Sequence, residues 1–567
     1  MPPNWHCNPL TGQSVPADRH WTQISDFDTG DIKYIWEASR FSIVYTLVRA
    51  FAATHDPKYA LAFWELVENW AKHNPPQRGP NWKCGQEASF RVMAWCFGLY
   101  AFIDHTTPER VAQFVAMIAA HGERIERNID YARSQNNNHG ISEGVGLWTI
   151  GILFPELRSA KRWTALGKQV IESEIRRQVY ADGSYAQYSP NYQRVMLHDV
   201  IWALRLGELN NNHFSPDIYQ KVAISTNFLL GILDPESGRV PNHGANDSAL
   251  VLPLNSASPD DFRPVIQTAY YLVNKKRLST EGDEDIFWLF GKDALSSPLD
   301  HPVSDCQKLS ANIGGYYTLR GDDSWLMVRC ARYRARPHHA DQLHVDFWWR
   351  GINICCDAGT YLYNGDSPWQ NGLVTTAVHN TVTVDDQDQM THFGHFLWLD
   401  WSQGIVHHHE ETYWEGSHNG YRRLNPPVTH RRSIQRLDDV WIIADELQST
   451  GNHRYCLHWL IPTLPYRLID NTIILDPPAG HFFVYCSHPP TYKTREHDHV
   501  AGWRSLTYGH KEPALSFYIT TSDEKYARFW TILSPKPLTI DRHNHPNIVL
   551  INGTEVKLFR LSFQADL

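Results

Sequence analysis

The stretch Gln135-Asn136-Asn137-Asn138-His139-Gly140-Ile141-Ser142-Glu143-Gly144 concentrates amide and imidazole side chains between Gly- and apolar-rich segments. Neutral hydrogen-bond donors packed this densely suit a site that grips a carboxylate without presenting a full positive charge. A second stretch, Asp182-Gly183-Ser184-Tyr185-Ala186-Gln187-Tyr188-Ser189-Pro190-Asn191-Tyr192-Gln193, is a Gly turn leading into Pro190, a residue suited to the first turn of a helix. Tyr192 would then stand in that first turn. Helix-end N–H groups and the dipole favour an anionic oxygen there, helping a tyrosinate form below its reference pKa of about 10. The competing reading of Tyr192 is an aromatic packed under a loop.

A third set is spread along the second half: Pro337-His338-His339-Ala340-Asp341, then Asp357-Ala358-Gly359-Thr360-Tyr361, then Val378-His379-Asn380-Thr381. Two imidazoles and a carboxylate, His339, Asp357 and His379, form a usual ligand set for Zn²⁺. Their separation in sequence is large, and composition alone favours a set of buried, hydrogen-bonded polar residues. On a strand, His339 and Asp341 share one face and His338 takes the other. His407-His408-His409-Glu410 resembles a metal box, but three consecutive strand residues cannot aim at one ion, and it is read as an exposed strand or loop.

These residues need two kinds of scaffold. From about residue 32 to 300 the apolar positions recur at helical spacing: Ile35-Trp36, Phe41, Val44-Tyr45, Val48 and Phe51, then Leu61-Ala62-Phe63-Trp64, Leu66-Val67 and Trp70. Further helices are predicted over Ile141–Leu153, Arg162–Tyr180, Tyr192–Leu206, Asp217–Leu233 and Asp261–Val273. Serial amphipathic helix pairs without strands suggest an incomplete toroid of α-hairpins. The character changes near Gly314 to short β-branched and aromatic runs between turn residues, such as Trp325-Leu326-Met327-Val328-Arg329 and Val440-Trp441-Ile442-Ile443-Ala444. Many such runs argue an antiparallel β-sandwich. The predicted division is an N-terminal extension over 1–30, an (α/α) toroid over 31–300 and a β-sandwich over 301–567, with the junction within 274–312.

Size and composition bound the partners. The 567 residues require more than one core. Net charge is −9, so no global basic field recruits a polyanion and nucleic acid is not an expected partner; an acidic ligand must be met locally. There are 22 Trp, 26 Tyr and 23 Phe, enough for large cores and for rings that stack on sugars. Nine Cys without regular spacing give neither a disulfide framework nor a paired zinc motif, and the adjacent Cys355 and Cys356 are poor partners for each other. Neither a secretory signal nor an apolar run of about 18 residues is visible, so the expected setting is soluble and reducing, cytoplasmic as written, with a periplasmic or secreted setting if a signal was removed.

Taken in order, Asn138-His139, Ser189-Pro190-Asn191-Tyr192, His339-Ala340-Asp341-Gln342-Leu343, Asp357-Ala358-Gly359-Thr360-Tyr361 and His379-Asn380-Thr381-Val382 resemble the heparinase II/III-like polysaccharide lyases. So do Asp31-Ile32-Lys33 through Trp36-Glu37, and Asn81-Trp82 through Glu87 and Arg91. The resemblance spans roughly residues 30 to 560. It implies an (α/α) toroid followed by an antiparallel β-sandwich with the substrate cleft between them, and β-elimination on an acidic, uronate-containing polysaccharide. It also implies site residues: Asn138 binding the uronate carboxylate with His139 beside it, Tyr192 transferring protons, and His339, Asp357 and His379 holding a Zn²⁺ of structural character, with no organic cofactor. Some members carry a catalytic His two residues before the first metal His; that position is Pro337 here, and His338 is the nearest substitute. Gln86, Arg91, Tyr188 and His198 are further candidates for substrate contact. Two other classes stay open: a glycoside hydrolase on the same toroid, for which Glu87, Glu143 and Asp182 form no evident carboxyl pair, and a non-catalytic acidic-glycan-binding protein. The polymer, endo or exo action and the oligomeric state are not fixed by these residues.

Overall fold

A computed structural model of the chain describes residues 2–280, 282–300, 308–394, 396–494 and 499–560. It divides into two compact units. The first comprises 1–186, 192–226 and 249–302 and is helical. Its helices form for the reasons the sequence suggests. Lys58–His73 buries Ala60, Phe63, Trp64, Val67 and Trp70 on one stripe and carries Lys72 and His73 in its last turn, where cations complement the dipole. Pro108–Glu126 opens on Pro108 and is capped by the Thr107 hydroxyl, which accepts from the Arg110 amide. Gly85–Ala101 and Asn138–Leu153 are buried almost all round, as inner helices must be. They approach so closely that a Cβ on Gly146 would collide with the Ser89 hydroxyl.

Expected and observed helix limits differ by a few residues, as for Asn138–Leu153, Ala160–Gln178 and Arg263–Asn274. The first 30 residues are not a separate extension. Trp5 stacks on Phe41 at 5.4 Å, and Val15 and Ile24 share an apolar cluster with Ile32 and Ile35. Short loops with few apolar residues gave no periodicity from which this docking could be read.

The second unit comprises 187–191, 227–248 and 303–567. A five-stranded antiparallel sheet runs in chain order through Ser310–Ala311, Tyr316–Arg320, Ser324–Arg329, Val345–Trp349 and Ile352–Cys355. An eleven-stranded sheet is built on two long antiparallel strands, Val440–Pro462 and His510–Ser534, with Trp441 opposite Leu533. Leu326, Val328 and Phe347 from the small sheet and Ile443, Leu457 and Trp459 from the large one share one buried cluster, which makes the pair a sandwich. Segments 187–191 and 227–248 were expected with the helices. They belong here because polar contacts bind them: Trp325 Nε1 donates to Asp234 Oδ1 at 3.0 Å, and Ser189 Oγ donates to the Ala245 carbonyl at 2.5 Å. Of the expected junction, 281 and 301–307 lie outside the described residues. Among the described residues all eight cysteines, Cys355 and Cys356 included, are free thiols, and no helix is long and apolar enough to cross a membrane.

Candidate functional site

The Asn-rich stretch resolves into separate roles. Asn136 takes a left-handed turn, φ 53°, and is held by Arg177. Asn137 caps the helix Asn138–Leu153, its side-chain oxygen accepting from the His139 amide at 3.1 Å. Asn138 is buried in the first turn, and its Nδ2 donates to Gln86 Oε1 at 3.1 Å, so Gln86 fixes the plane of the amide. His139 is half-buried, with Cys84 Sγ 3.9 Å from its Nδ1. Burial, with help from Glu87 and Glu143, pushes the Cys84 thiol up to about 12, so it is a neutral partner for the ring.

Tyr192 stands in the first turn of Pro190–Leu209, as its sequence context suggests, and is half-buried. The chain leading to it is pinned within the second unit. Tyr188 is buried, and its hydroxyl accepts from the Arg334 and Ala335 amides at 2.9 and 3.3 Å, while Asn191 Nδ2 donates to Asp247 Oδ1 at 3.3 Å. Tyr192 itself begins a stretch of the helical unit. Two hydrogen bonds relate its helix to Asn138–Leu153: Ser142 Oγ donates to Asp199 Oδ2 at 2.5 Å, and Trp202 Nε1 donates to Thr149 Oγ1 at 2.9 Å. Both helices advance in the same direction between these contacts. Their N-terminal turns, carrying Asn138, His139 and Tyr192, therefore lie toward the same end of the unit.

The four further candidates for substrate contact, Gln86, Arg91, Tyr188 and His198, are all buried. Arg91 is wholly buried and donates to the Ser39 and Asn81 carbonyls and to His121. Its guanidinium is a core strut, because the inner helix that carries it faces protein on every side. Tyr188 uses its hydroxyl on backbone amides, as above. Gln86 orients Asn138 instead of facing solvent. His198 is buried on the Tyr192 helix, and burial with the Arg194 charge pushes its pKa down to about 3, which keeps the ring neutral.

Two carboxyls beside these residues carry a pH signature. Burial pushes Glu143 up to about 8 against the opposing charge of Arg124, and its Oε2 has no hydrogen-bond partner. Burial likewise raises Asp199 to about 8 despite the Ser142 hydrogen bond. A carboxyl protonated when folded and ionised when unfolded makes the folded state the better proton binder, so stability falls as pH rises from about 4 to about 8. Glu143→Gln keeps the shape and removes the share of that slope that Glu143 contributes, leaving that of Asp199. The variant should match the native stability near pH 4 and exceed it at pH 8, by about 2 kcal/mol or more, with a higher unfolding midpoint there. Thermal unfolding across that range checks this; parallel curves at every pH would mean that Glu143 is ionised in the fold.

In the second unit His339, Asp357 and His379 converge, as the sequence allowed. All three are buried, and one ligand atom from each lies within 4.8 Å of the others. His379 Nδ1 is 3.1 Å and His339 Nδ1 4.0 Å from the Asp357 carboxylate. Burial alone would raise Asp357, but His379, His344 and His339 hold it well below the carboxylate range. Both nitrogens of His339 and Nε2 of His379 are buried without hydrogen-bond partners, the mark of donors that suit a cation. His338 is not in this set: its ring lies 5.7 Å from Tyr363 and 5.9 Å from Phe396. Burial, then Arg336 and His392, pushes its pKa down to about 3.

Two further histidines escaped the sequence reading. His344 places Nε2 3.5 Å from Asp357, and its Nδ1 accepts from the Asn380 amide at 3.0 Å, bracing the residue after His379. Its position five residues after His339 was an available signal. His243 pairs through Nε2 with Asp341, whose other oxygen accepts from the Tyr333 hydroxyl at 2.9 Å. Lone in Pro241-Asn242-His243-Gly244, it gave none. His407, His408 and His409 lie on the strand Gly404–His409 and form no ligand cluster among the described residues.

Comparison with known proteins follows the two units. A family model described as heparinase II/III N-terminus matches residues 4–251, and one described as heparinase II/III-like, C-terminal, matches 307–537. A heparin-sulfate lyase of Bacteroides stercoris is 23% identical over 548 residues, covering 88% of this chain and 75% of that protein. One of Pedobacter heparinus is 24% identical over 469 residues, covering 77% of this chain and 63% of that protein, so the chain spans under two thirds of that relative. Among solved structures, heparinase III aligns at a TM-score of 0.74 with 19% identity over 98% of this chain and 88% of that one. A Streptomyces coelicolor A3 chondroitin AC lyase in complex with chondroitin sulphate aligns at 0.57 with 13% identity, over 91% and 78%. At these identities the structural likeness concerns the fold.

Proposed function

The chain belongs to the heparinase II/III-like family, and on that premise we propose that it is a polysaccharide lyase acting on a uronic-acid-containing polymer by β-elimination. The observation that carries this reading is the Gln86-clamped amide of Asn138, with His139 beside it, at the same helix end as Tyr192. In the reaction the C5 proton of the uronate is removed, the C4–O4 bond breaks, a C4=C5 double bond forms, and the proton is returned to the leaving oxygen. The C5 proton is too weakly acidic while the carboxylate stays fully anionic and solvated. Asn138 and His139 donate hydrogen bonds to that carboxylate and stabilise the enolate-like charge as it develops. Tyr192, held in a helix first turn, moves the proton. The heparin-sulfate lyase names of the relatives favour a glycosaminoglycan substrate.

His339, Asp357 and His379 fit a Zn²⁺ by donor type and by their unpartnered nitrogens. Such an ion, when bound, would clip the strands and loops that carry these residues together, and no proton step passes through it. The experiment is a panel of uronate polymers followed by ultraviolet absorbance of the unsaturated product and by product size. A new absorbing double bond at the non-reducing end is the expected result. Cleavage without it would assign a hydrolase, and binding of every polymer without cleavage would assign a glycan-binding protein.

A further inference from the structure

The last residue of Asp357-Ala358-Gly359-Thr360-Tyr361 belongs to a cluster that neither the metal set nor the elimination uses. Tyr361, Trp369 and Trp503 are half-buried rings set nearly at right angles: Tyr361 and Trp369 are 5.5 Å apart at 84°, Trp369 and Trp503 5.9 Å apart at 89°. The Lys511 ammonium lies among them, 2.9 Å from the centre of the Trp369 ring, 4.5 Å from Trp503 and 5.2 Å from Tyr361. Among the described residues no carboxylate is within ion-pair reach of Lys511; its neighbour Glu512 is taken by Arg504 at 2.6 Å. Aromatic faces attract a cation but do not neutralise it. Among the described residues the ammonium is therefore held by aromatic faces without a counter-ion, in a chain whose net charge is −9.

The cluster is joined to the part of the unit that carries His338. Tyr363, two residues beyond Tyr361, has its ring 5.7 Å from His338 and 5.0 Å from Tyr508. The Tyr508 hydroxyl accepts from the Tyr363 amide at 2.9 Å, and the Gly509 amide donates to the Tyr361 carbonyl at 2.8 Å. Tyr508 and Gly509 form the turn between the strands Trp503–Thr507 and His510–Ser534, which bear Trp503 and Lys511. Ring contacts thus join His338, Tyr363 and Tyr508, and a backbone hydrogen bond in the turn that carries Tyr508 ties it to Tyr361 of the cage. Rings with one polar end and an adjacent fixed cation match a pyranose that carries an acid.

We propose that Tyr361, Trp369, Trp503 and Lys511 form a subsite for an acidic sugar of the polymer outside the pair of residues that react, the rings stacking on the sugar and the ammonium meeting its carboxylate or sulfate. The ligand class rests on the lyase reading, but the binding is measurable without turnover. Affinity electrophoresis of Tyr192→Phe protein through gels containing hyaluronan, heparan sulfate or neutral dextran would give Kd for each polymer. Adding Lys511→Met, which keeps the aliphatic stem, should weaken binding to an acidic polymer about tenfold, more at low salt than at high, and Trp503→Ala should do so comparably. Weakening on heparan sulfate alone assigns a sulfate; weakening on both acidic polymers assigns the carboxylate. With Tyr192 restored, Lys511→Met should raise KM for a cleaved polymer with little change in kcat. If no polymer yields a double bond while acidic-polymer binding still depends on Lys511, the lyase reading fails and the subsite stands. Unchanged Kd for both acidic polymers in Lys511→Met, or no binding of either by the parent protein, overturns the subsite.

Discussion

Tyr192→Phe should leave a folded protein that forms unsaturated product at least about 10²–10⁴-fold more slowly than the native chain, the usual worth of a general acid or base. The loss should be larger if the one hydroxyl both removes the C5 proton and returns it to the leaving oxygen. The substitution keeps the ring, and the backbone around it is fixed by contacts that do not involve that hydroxyl: Ser189 to Ala245, Asn191 to Asp247, and Tyr188 to the 334–335 amides. The lost rate should therefore appear in kcat with an unchanged unfolding midpoint. Asn138→Ala should depress turnover comparably while altering the pH profile less, because the amide does not titrate. Initial rates of double-bond absorbance on a polymer that the native chain cleaves decide the matter. Full turnover by Tyr192→Phe would remove this tyrosine from the mechanism.

What the sequence made legible follows from how locally each feature is encoded. The helix expected over Ile141–Leu153 and the Pro190 first turn are written in a few consecutive residues; the first helix begins three residues earlier, at Asn138, and the second begins on Pro190. The change from helices to strands near Gly314 was legible as a change of period. The convergence of His339, Asp357 and His379 was not, because it depends on sheet registers that bring together residues up to 40 positions apart; the resemblance supplied it. Local encoding also misled. The Asn-rich run reads as one binding surface, yet Asn136 and Asn137 serve a turn and a helix cap, so that of the three only Asn138 enters the proposed site. Arg91 was a candidate for substrate contact; an inner helix buried almost all round makes it a core donor. Segments 187–191 and 227–248 join the second unit through polar contacts that have no period to detect.

Asp357→Asn tests the second buried centre and carries the largest expected effect on stability. The Asp357 carboxylate touches three imidazoles, His379 at 3.1 Å, His344 at 3.5 Å and His339 at 4.0 Å. Of the other carboxylates nearby, Asp341 is already engaged by His243 and Tyr333, and Asp346 lies 4.0 Å from His344. Replacing the charge with an amide leaves buried imidazoles without their anion and puts an N–H₂ donor where an acceptor stood. Breaking a buried pair in this way costs about 3–5 kcal/mol, and where a divalent cation is bound its loss adds to that figure. Metal analysis separates the two contributions. If the cluster holds an ion, the native protein should purify with about one equivalent, and a chelator should lower its unfolding midpoint. The variant should carry none and be indifferent to the chelator. A native protein without metal, whose midpoint a chelator leaves unmoved, would reduce the cluster to a hydrogen-bonded ion group, still destabilised by Asp357→Asn. A variant as stable as the native chain would remove both roles, since no other described carboxylate lies within 4 Å of His339 or His379 to take up the charge.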